Sequence, residues 1–139
     1  MARPADLTIV NRGAARGEEL ARLLVDRLQA PARFVSWQGD FEVPEGTQIL
    51  INATSIGLGD AQARVPLNVK SLAPDTVVAD VIFNPPQTRL LKDAEQRGCR
   101  TLDGLGMLVN QGVIGFRLWT GIDPDAQVMR DALEEYLEV

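Results

Sequence analysis

Arg12 and Arg16 stand four residues apart in Asn11-Arg12-Gly13-Ala14-Ala15-Arg16, directly after the apolar run Leu7-Thr8-Ile9-Val10. A strand that ends in Asn-Arg and opens into a helix is a place to hold a phosphate monoester. The helix start offers free backbone N–H groups and a positive dipole end, and arginine adds forked donors that match phosphate oxygens. In dinucleotide sites this turn reads the adenosine ribose: an acid accepts from a free 2′-hydroxyl, whereas arginine accommodates a 2′-phosphate. The pair therefore points to NADP rather than NAD. The plainer reading is two solvated side chains at a helix start, and spacing alone does not separate the two.

Three further stretches carry polar groups where a ligand could meet them. Asn52-Ala53-Thr54-Ser55-Ile56-Gly57-Leu58 leaves an apolar run at its C-terminal end, where ligands sit in open α/β sheets, although small residues there are also ordinary turn chemistry. Asp80-Val81-Ile82-Phe83-Asn84-Pro85 leaves the strongest apolar run in the same way. Asp103-Gly104-Leu105-Gly106-Met107-Leu108-Val109-Asn110-Gln111 opens a helix that Asp103 can cap. At helical spacing Gln111 shares a row with Met107, Ile114 and Leu118, so its amide is expected to be buried and to need a partner. A core glutamine bonded to backbone satisfies the same pattern. Gly104-x-Gly106 is not a pyrophosphate loop, because Val109 stands where the third glycine belongs.

Other chemistries are excluded by what the chain lacks. With no histidine and one cysteine, Cys99, ordinary zinc sites, histidine triads and a disulfide framework are out. A net charge of -5 without a basic block argues against a nucleic-acid surface. No apolar run approaches the ~20 residues that span a bilayer, and no signal-peptide pattern opens the sequence, so a cytoplasmic protein is expected.

The elements that must position these groups alternate between strand and helix. At 139 residues the chain suits one domain, 1–139, of the α/β class, with a parallel sheet covered by helices on both faces. Strands are expected at Leu7–Val10, Arg33–Trp37, Gln48–Asn52, Thr76–Ile82 and Cys99–Leu102, with the Thr76 strand central. Helices are expected at Glu18–Leu28, at Arg89–Arg97 with Thr88 as cap, and at Gly104–Trp119. A last helix should begin with Asp123 as N-cap and Pro124 in its first position.

Taken in order, Asn-Arg-x-x-x-Arg, Ile-Asn-Ala-Thr-Ser-x-Gly-Leu, Asp-Val-x-Phe-Asn-Pro and Asp-Gly-Leu-Gly-Met-Leu-Val-x-Gln resemble the C-terminal nucleotide-binding domain of the shikimate and quinate/shikimate dehydrogenases along nearly the whole chain. The resemblance implies a Rossmann-like domain that lacks its first strand and Gly-rich loop. It implies that Asn11, Arg12 and Arg16 hold the 2′-phosphate of NADP and that Asn52, Thr54 and Ser55 line the cofactor groove. Ile82, Gly104 and Met107 would lie at the nicotinamide, while Phe83 and Gln111 would meet the substrate. The implied reaction is reversible NADPH-dependent reduction of 3-dehydroshikimate to shikimate, a step of aromatic amino acid biosynthesis. The family's catalytic lysine and aspartate belong to an N-terminal substrate domain outside this sequence, so no catalytic residue and no metal ligand is assigned, and the chain alone is expected to be inactive.

Departures from the pattern keep other readings in view. Gly13 stands where the family has a hydroxyl residue, and Phe83 where tyrosine is usual. The alternative is a non-catalytic nucleotide-binding or protein-interaction module that kept the fold. Folate-enzyme and glutamyl-tRNA reductase domains share the Asn-Arg turn but not the Asp-Gly-Leu-Gly motif. Without its first strand, such a sheet must either pair the Leu7 strand with the Ile49 strand directly or form a homodimer through the exposed edge.

Overall fold

The computed structural model describes residues 6–139, and these form two compact units, the first ending at Phe41 and the second spanning Glu42–Val139. In the first, strand β1 (Leu7–Asn11) runs parallel to β2 (Ala32–Ser36), in register from Leu7 opposite Ala32 to Asn11 opposite Ser36. Helix α1 (Ala14–Leu28) joins them. It begins one turn before the expected Glu18, because Gly13 takes an extended conformation (φ -87°, ψ 103°) and Ala14, Ala15 and Arg16 are good helix formers. Gly17 is buried against the Phe34 ring, and a methyl group there would run into that ring.

The second unit is built on three parallel strands in the order β3 (Ile49–Asn52), β4 (Val77–Asp80) and β5 (Arg100–Leu102). The apolar Val77 run is thus central, as expected, and Val78 is 0% exposed. Register places Leu50, Val78 and Thr101 on one face and Ile49, Ile51, Ala79 and Leu102 on the other. Helix α2 (Arg89–Gln96) packs on β4 and β5 and buries Leu90, Leu91 and Ala94. Each such aliphatic side chain contributes about 1.5–3 kcal/mol when fully removed from water. On the opposite face Ile49, Ile51 and Leu102 remain 63%, 61% and 59% exposed.

Helix α3 (Gly104–Thr120) follows β5, and α4 (Ala126–Leu137) packs on α3. The cap of α4 is Asp125 rather than Asp123. Asp125 Oδ1 accepts from the N–H groups of Gln127 (2.8 Å) and Val128 (3.4 Å), whereas the Asp123 carboxylate is taken by Arg117 at 2.9 Å. Strand β4 ends at Asp80, two residues short of the expected Ile82, because the Asp80 side chain captures the Ile82 N–H and turns the backbone. Direct pairing of the Leu7 and Ile49 strands is not formed: among the described residues β1 pairs with β2 and β3 with β4.

The Cys99 thiol is buried and donates to the Ala73 carbonyl at 3.3 Å. Burial pushes its pKa up, with the Arg97 charge pulling partly back, so it is a protonated core residue rather than a nucleophile. Among the described residues, no helix is long and apolar enough to cross a membrane. Gly17→Ala adds about 1 kcal/mol of helix propensity but overpacks the Phe34 contact by about 1–3 kcal/mol. A net loss of stability is expected in urea unfolding, and a net gain would contradict the contact.

Candidate functional site

At the C-terminal ends of β3 and β4 the sequence folds around one buried carboxylate. Asp80 is 3% exposed and accepts three hydrogen bonds. Its Oδ1 takes the Asn52 side-chain amide at 3.0 Å and the Ile82 N–H at 3.0 Å, and its Oδ2 takes the Thr88 hydroxyl at 2.8 Å. Every partner is a donor, which suits the ionised form. Thr88 thereby commits its hydroxyl hydrogen to Asp80, and its oxygen caps α2 by accepting from the Leu91 N–H at 3.4 Å.

Asn52 carries the arrangement into the following loop. Its Nδ2 also donates to the Ile56 carbonyl at 3.3 Å, while its Oδ1 accepts from the Thr54 N–H (3.2 Å) and hydroxyl (2.7 Å). Thr54 Oγ1 in turn accepts from the Ile56 N–H at 3.1 Å. Asn52 and Thr54 therefore shape the loop with the same polar groups that the sequence offers to a ligand. Ser55 is exposed, and its carbonyl accepts from the Leu58 N–H at 3.2 Å. Gly57, at φ 108°, makes the turn, and the Gly59 N–H donates to the Asn84 carbonyl at 2.9 Å, tying this loop to the one after β4.

The start of α3 closes onto the same place. The Gly104 N–H donates to the Ile82 carbonyl at 3.2 Å, and a methyl on Gly104 would collide with the Ile82 and Val81 carbonyl groups. Glycine is required there by close backbone approach. Asp103 caps the helix through the Gly106 N–H (3.1 Å) and is held by Arg130 of α4 at 3.5 Å, which also pairs with Glu134 at 2.7 Å. Ile82 is buried, Phe83 is half-buried, and Met107 and Gln111 are exposed one turn apart on α3. The expectation of a buried Gln111 amide is corrected: Ile114 and Leu118 of its row are also exposed, so the row has no cover within the described residues.

The guanidinium pair lies in the first unit. The Asn11 side-chain oxygen accepts from the Gly13 N–H at 3.2 Å, which fixes the turn, and α1 has no side-chain cap. Arg12 and Arg16 are exposed, and a methyl at Gly13 would lie 3.9 Å from the Arg16 Nε. Arg16 thus folds back along the turn. Uncapped N–H groups beside two cations form a suitable receptor for a phosphate monoester.

Asp80, Thr88 and Arg130 were not among the candidate residues, yet they fix the rest. The signal for the first two was an acid ending an apolar strand, followed eight residues on by a helix-capping threonine. A cavity of about 290 Å³ lined by Val43, Thr47, Lys70, Leu72, Thr76 and Arg97 lies at the other end of β4. Thr76 and Asp80 bracket that strand, about 13 Å apart in extended chain, so this cavity is separate from the candidate site.

Residues 104–134 match the model of the Shikimate 5′-dehydrogenase C-terminal domain. The shikimate dehydrogenase (NADP(+)) of Methanococcus aeolicus is 34% identical over 138 residues, which cover 99% of this chain and 49% of that protein. The ligand-free 5-ketofructose reductase of Gluconobacter sp. strain CHM43 is 57% identical with a TM-score of 0.91, covering 95% of this chain and 48% of that one. A shikimate dehydrogenase in complex with NADP+ is 28% identical with a TM-score of 0.83, covering 98% of this chain and 56% of that one. The chain spans about half the length of the relatives it matches.

Loss of the Asp80 carboxylate strands three donors, each bond to a charged group being worth about 1.5–3 kcal/mol. Asp80→Ala is expected to lower unfolding stability by about 3 kcal/mol or more, because several of those bonds go at once. Thr88→Val, which spares two of them, should cost less. Equal, small losses from both in urea titrations would refute the central place given to Asp80.

Proposed function

We propose that the chain is the NADP-binding half of an oxidoreductase of the shikimate dehydrogenase family, acting on a ketone of a polyhydroxylated substrate. The observation that carries this is the turn at Asn11–Arg16, with its uncapped helix start and two exposed guanidinium groups. It fits the 2′-phosphate of NADP in charge, donor number and backbone geometry. The supporting frame is the set of loops that Asp80 holds at the C-terminal ends of β3 and β4, where α/β sheets take ligands.

In this reading each residue has a stated task. Arg12 and Arg16 grip the 2′-phosphate, and Asn11 keeps their turn in shape. Asn52 and Thr54 hold the loop that bears the exposed Ser55, and Gly104 lets α3 begin against the Ile82 carbonyl. Ile82 and Met107 provide apolar surface for the nicotinamide end, while Phe83 and the Gln111 amide face the substrate, the amide offering both a donor and an acceptor to a hydroxyl group. NADPH, when bound, supplies the hydride. The proton for the new alcohol needs a group that none of these side chains provides, so this chain by itself binds but does not turn over.

Two ketones are in view. The relatives named shikimate dehydrogenase (NADP(+)) favour shikimate and its ketone, 3-dehydroshikimate, as the substrate couple. The 57% identity to the Gluconobacter 5-ketofructose reductase, well above the 34% to the Methanococcus aeolicus dehydrogenase, favours a keto-sugar as the second reading.

Calorimetry on the purified chain should find NADP bound more tightly than NAD, at an affinity weaker than low micromolar because no Gly-rich loop cradles the pyrophosphate. Arg12→Ala should reduce the NADP/NAD preference about tenfold, the loss expected of one charge-assisted contact. An unchanged preference removes the role assigned to Arg12.

A further inference from the structure

We propose that the cavity at the start of β4 is a second binding site, separate from the loops around Asp80, and that it takes a compact organic carboxylate. Such a site does not depend on nucleotide binding, since its lining lies wholly within the second unit, at the end of β4 away from Asp80. Its walls are pinned by their own hydrogen bonds. The Val43 N–H donates to the Ser71 hydroxyl oxygen at 2.9 Å, and that hydroxyl donates to the Asn68 carbonyl at 2.6 Å, which holds the segment before β3 to the short helical turn Val69–Ser71. Thr47 closes its own loop, its N–H and hydroxyl donating to the Pro44 carbonyl at 3.2 and 2.7 Å. The Thr76 hydroxyl ties the Thr47 carbonyl to the start of β4 at 3.0 Å, and Arg97 Nη2 donates to the Lys70 and Leu72 carbonyls at 3.3 and 3.4 Å. A cavity of about 290 Å³ with walls already in place needs little ordering when a small ligand enters.

Those same bonds decide what the cavity can recognise. The hydroxyls of Thr47, Ser71 and Thr76 each donate to a backbone carbonyl, so none has a hydrogen left for a ligand. Donation falls to Lys70 and Arg97. Among the described residues neither forms an ion pair, the Lys70 ammonium has no partner, and Arg97 keeps Nε and Nη1 beyond the two carbonyls it holds. In a chain of net charge -5, two cations that pair with no acid on one small cavity attract an anion. Glu45 is the one acid of the lining, and its charge opposes a second negative charge beside it. A monoanionic carboxylate therefore fits better than a phosphate dianion. Val43 and Leu72, 6% and 1% exposed, join Pro44 and Pro74 as apolar wall for the rest of the ligand.

The test titrates the chain with sodium benzoate at constant ionic strength and follows the backbone amides by NMR. Saturable shifts are expected at Gly46, Ser71, Leu72 and Thr76. Lys70→Gln should weaken binding about fivefold, the scale of one exposed ion pair. The Lys70 side chain makes no hydrogen bond or ion pair among the described residues, so this variant should keep the fold, which a circular dichroism melt checks. Benzamide, with the same ring and no charge, should bind about tenfold more weakly or worse. Added NADP should leave the benzoate affinity unchanged. No saturable shift, equal binding of benzamide, indifference to Lys70→Gln or displacement of benzoate by NADP each overturns the site. Inorganic phosphate binding there as tightly as benzoate overturns its assignment to a carboxylate.

Discussion

The carboxylate of Asp80 is the group on which the second unit's ligand-facing end depends. A buried charge is costly unless its lone pairs are occupied, and here they are filled by an amide, a backbone N–H and a hydroxyl from three different segments. The dependence runs both ways. The Asn52 amide nitrogen donates to Asp80 while its oxygen accepts from Thr54, and the Thr88 hydroxyl donates to Asp80 while its oxygen accepts from the Leu91 N–H. One acid thereby sets the end of β3, the end of β4 and the start of α2, and the Ile82 carbonyl it turns is the one that receives Gly104 of α3.

This constraint sorts the residues that look like ligand contacts into two kinds. Asn52, Thr54, Ile82 and Gly104 use their polar groups or backbone on one another, so they act through the shape they impose. Ser55, Met107 and Gln111, and in the first unit Arg12 and Arg16, keep exposed side chains that a ligand could meet. Arg130 belongs with the first kind, since it holds the cap of the helix that bears Met107 and Gln111.

Local chemistry explains which parts of this were legible in the sequence. The Thr88 and Asp103 caps and the central apolar strand depend on neighbours within a few residues, and they stand where their spacing puts them. The start of α4 is not legible locally, because Asp123 and Asp125 are both competent caps, and a side chain on the preceding helix, Arg117, decides between them. The exposure of Gln111 is hidden from the sequence for a different reason. Helical period identifies a row, yet it does not say what covers the row, and Met107, Ile114 and Leu118 are exposed along with Gln111. Strand neighbours are less legible still, because the pairing of Leu7 or Ile49 is decided by segments far away along the chain.

The most direct measurement is an amide-resolved NMR titration of the chain with NADP. The account predicts shift changes at Gly13, Ala14 and Arg16 in the first unit and at Ser55, Phe83 and Met107 in the second. Changes confined to other surfaces, such as the cavity lined by Lys70, Leu72 and Arg97, with the Asn11–Arg16 turn unmoved, would contradict it.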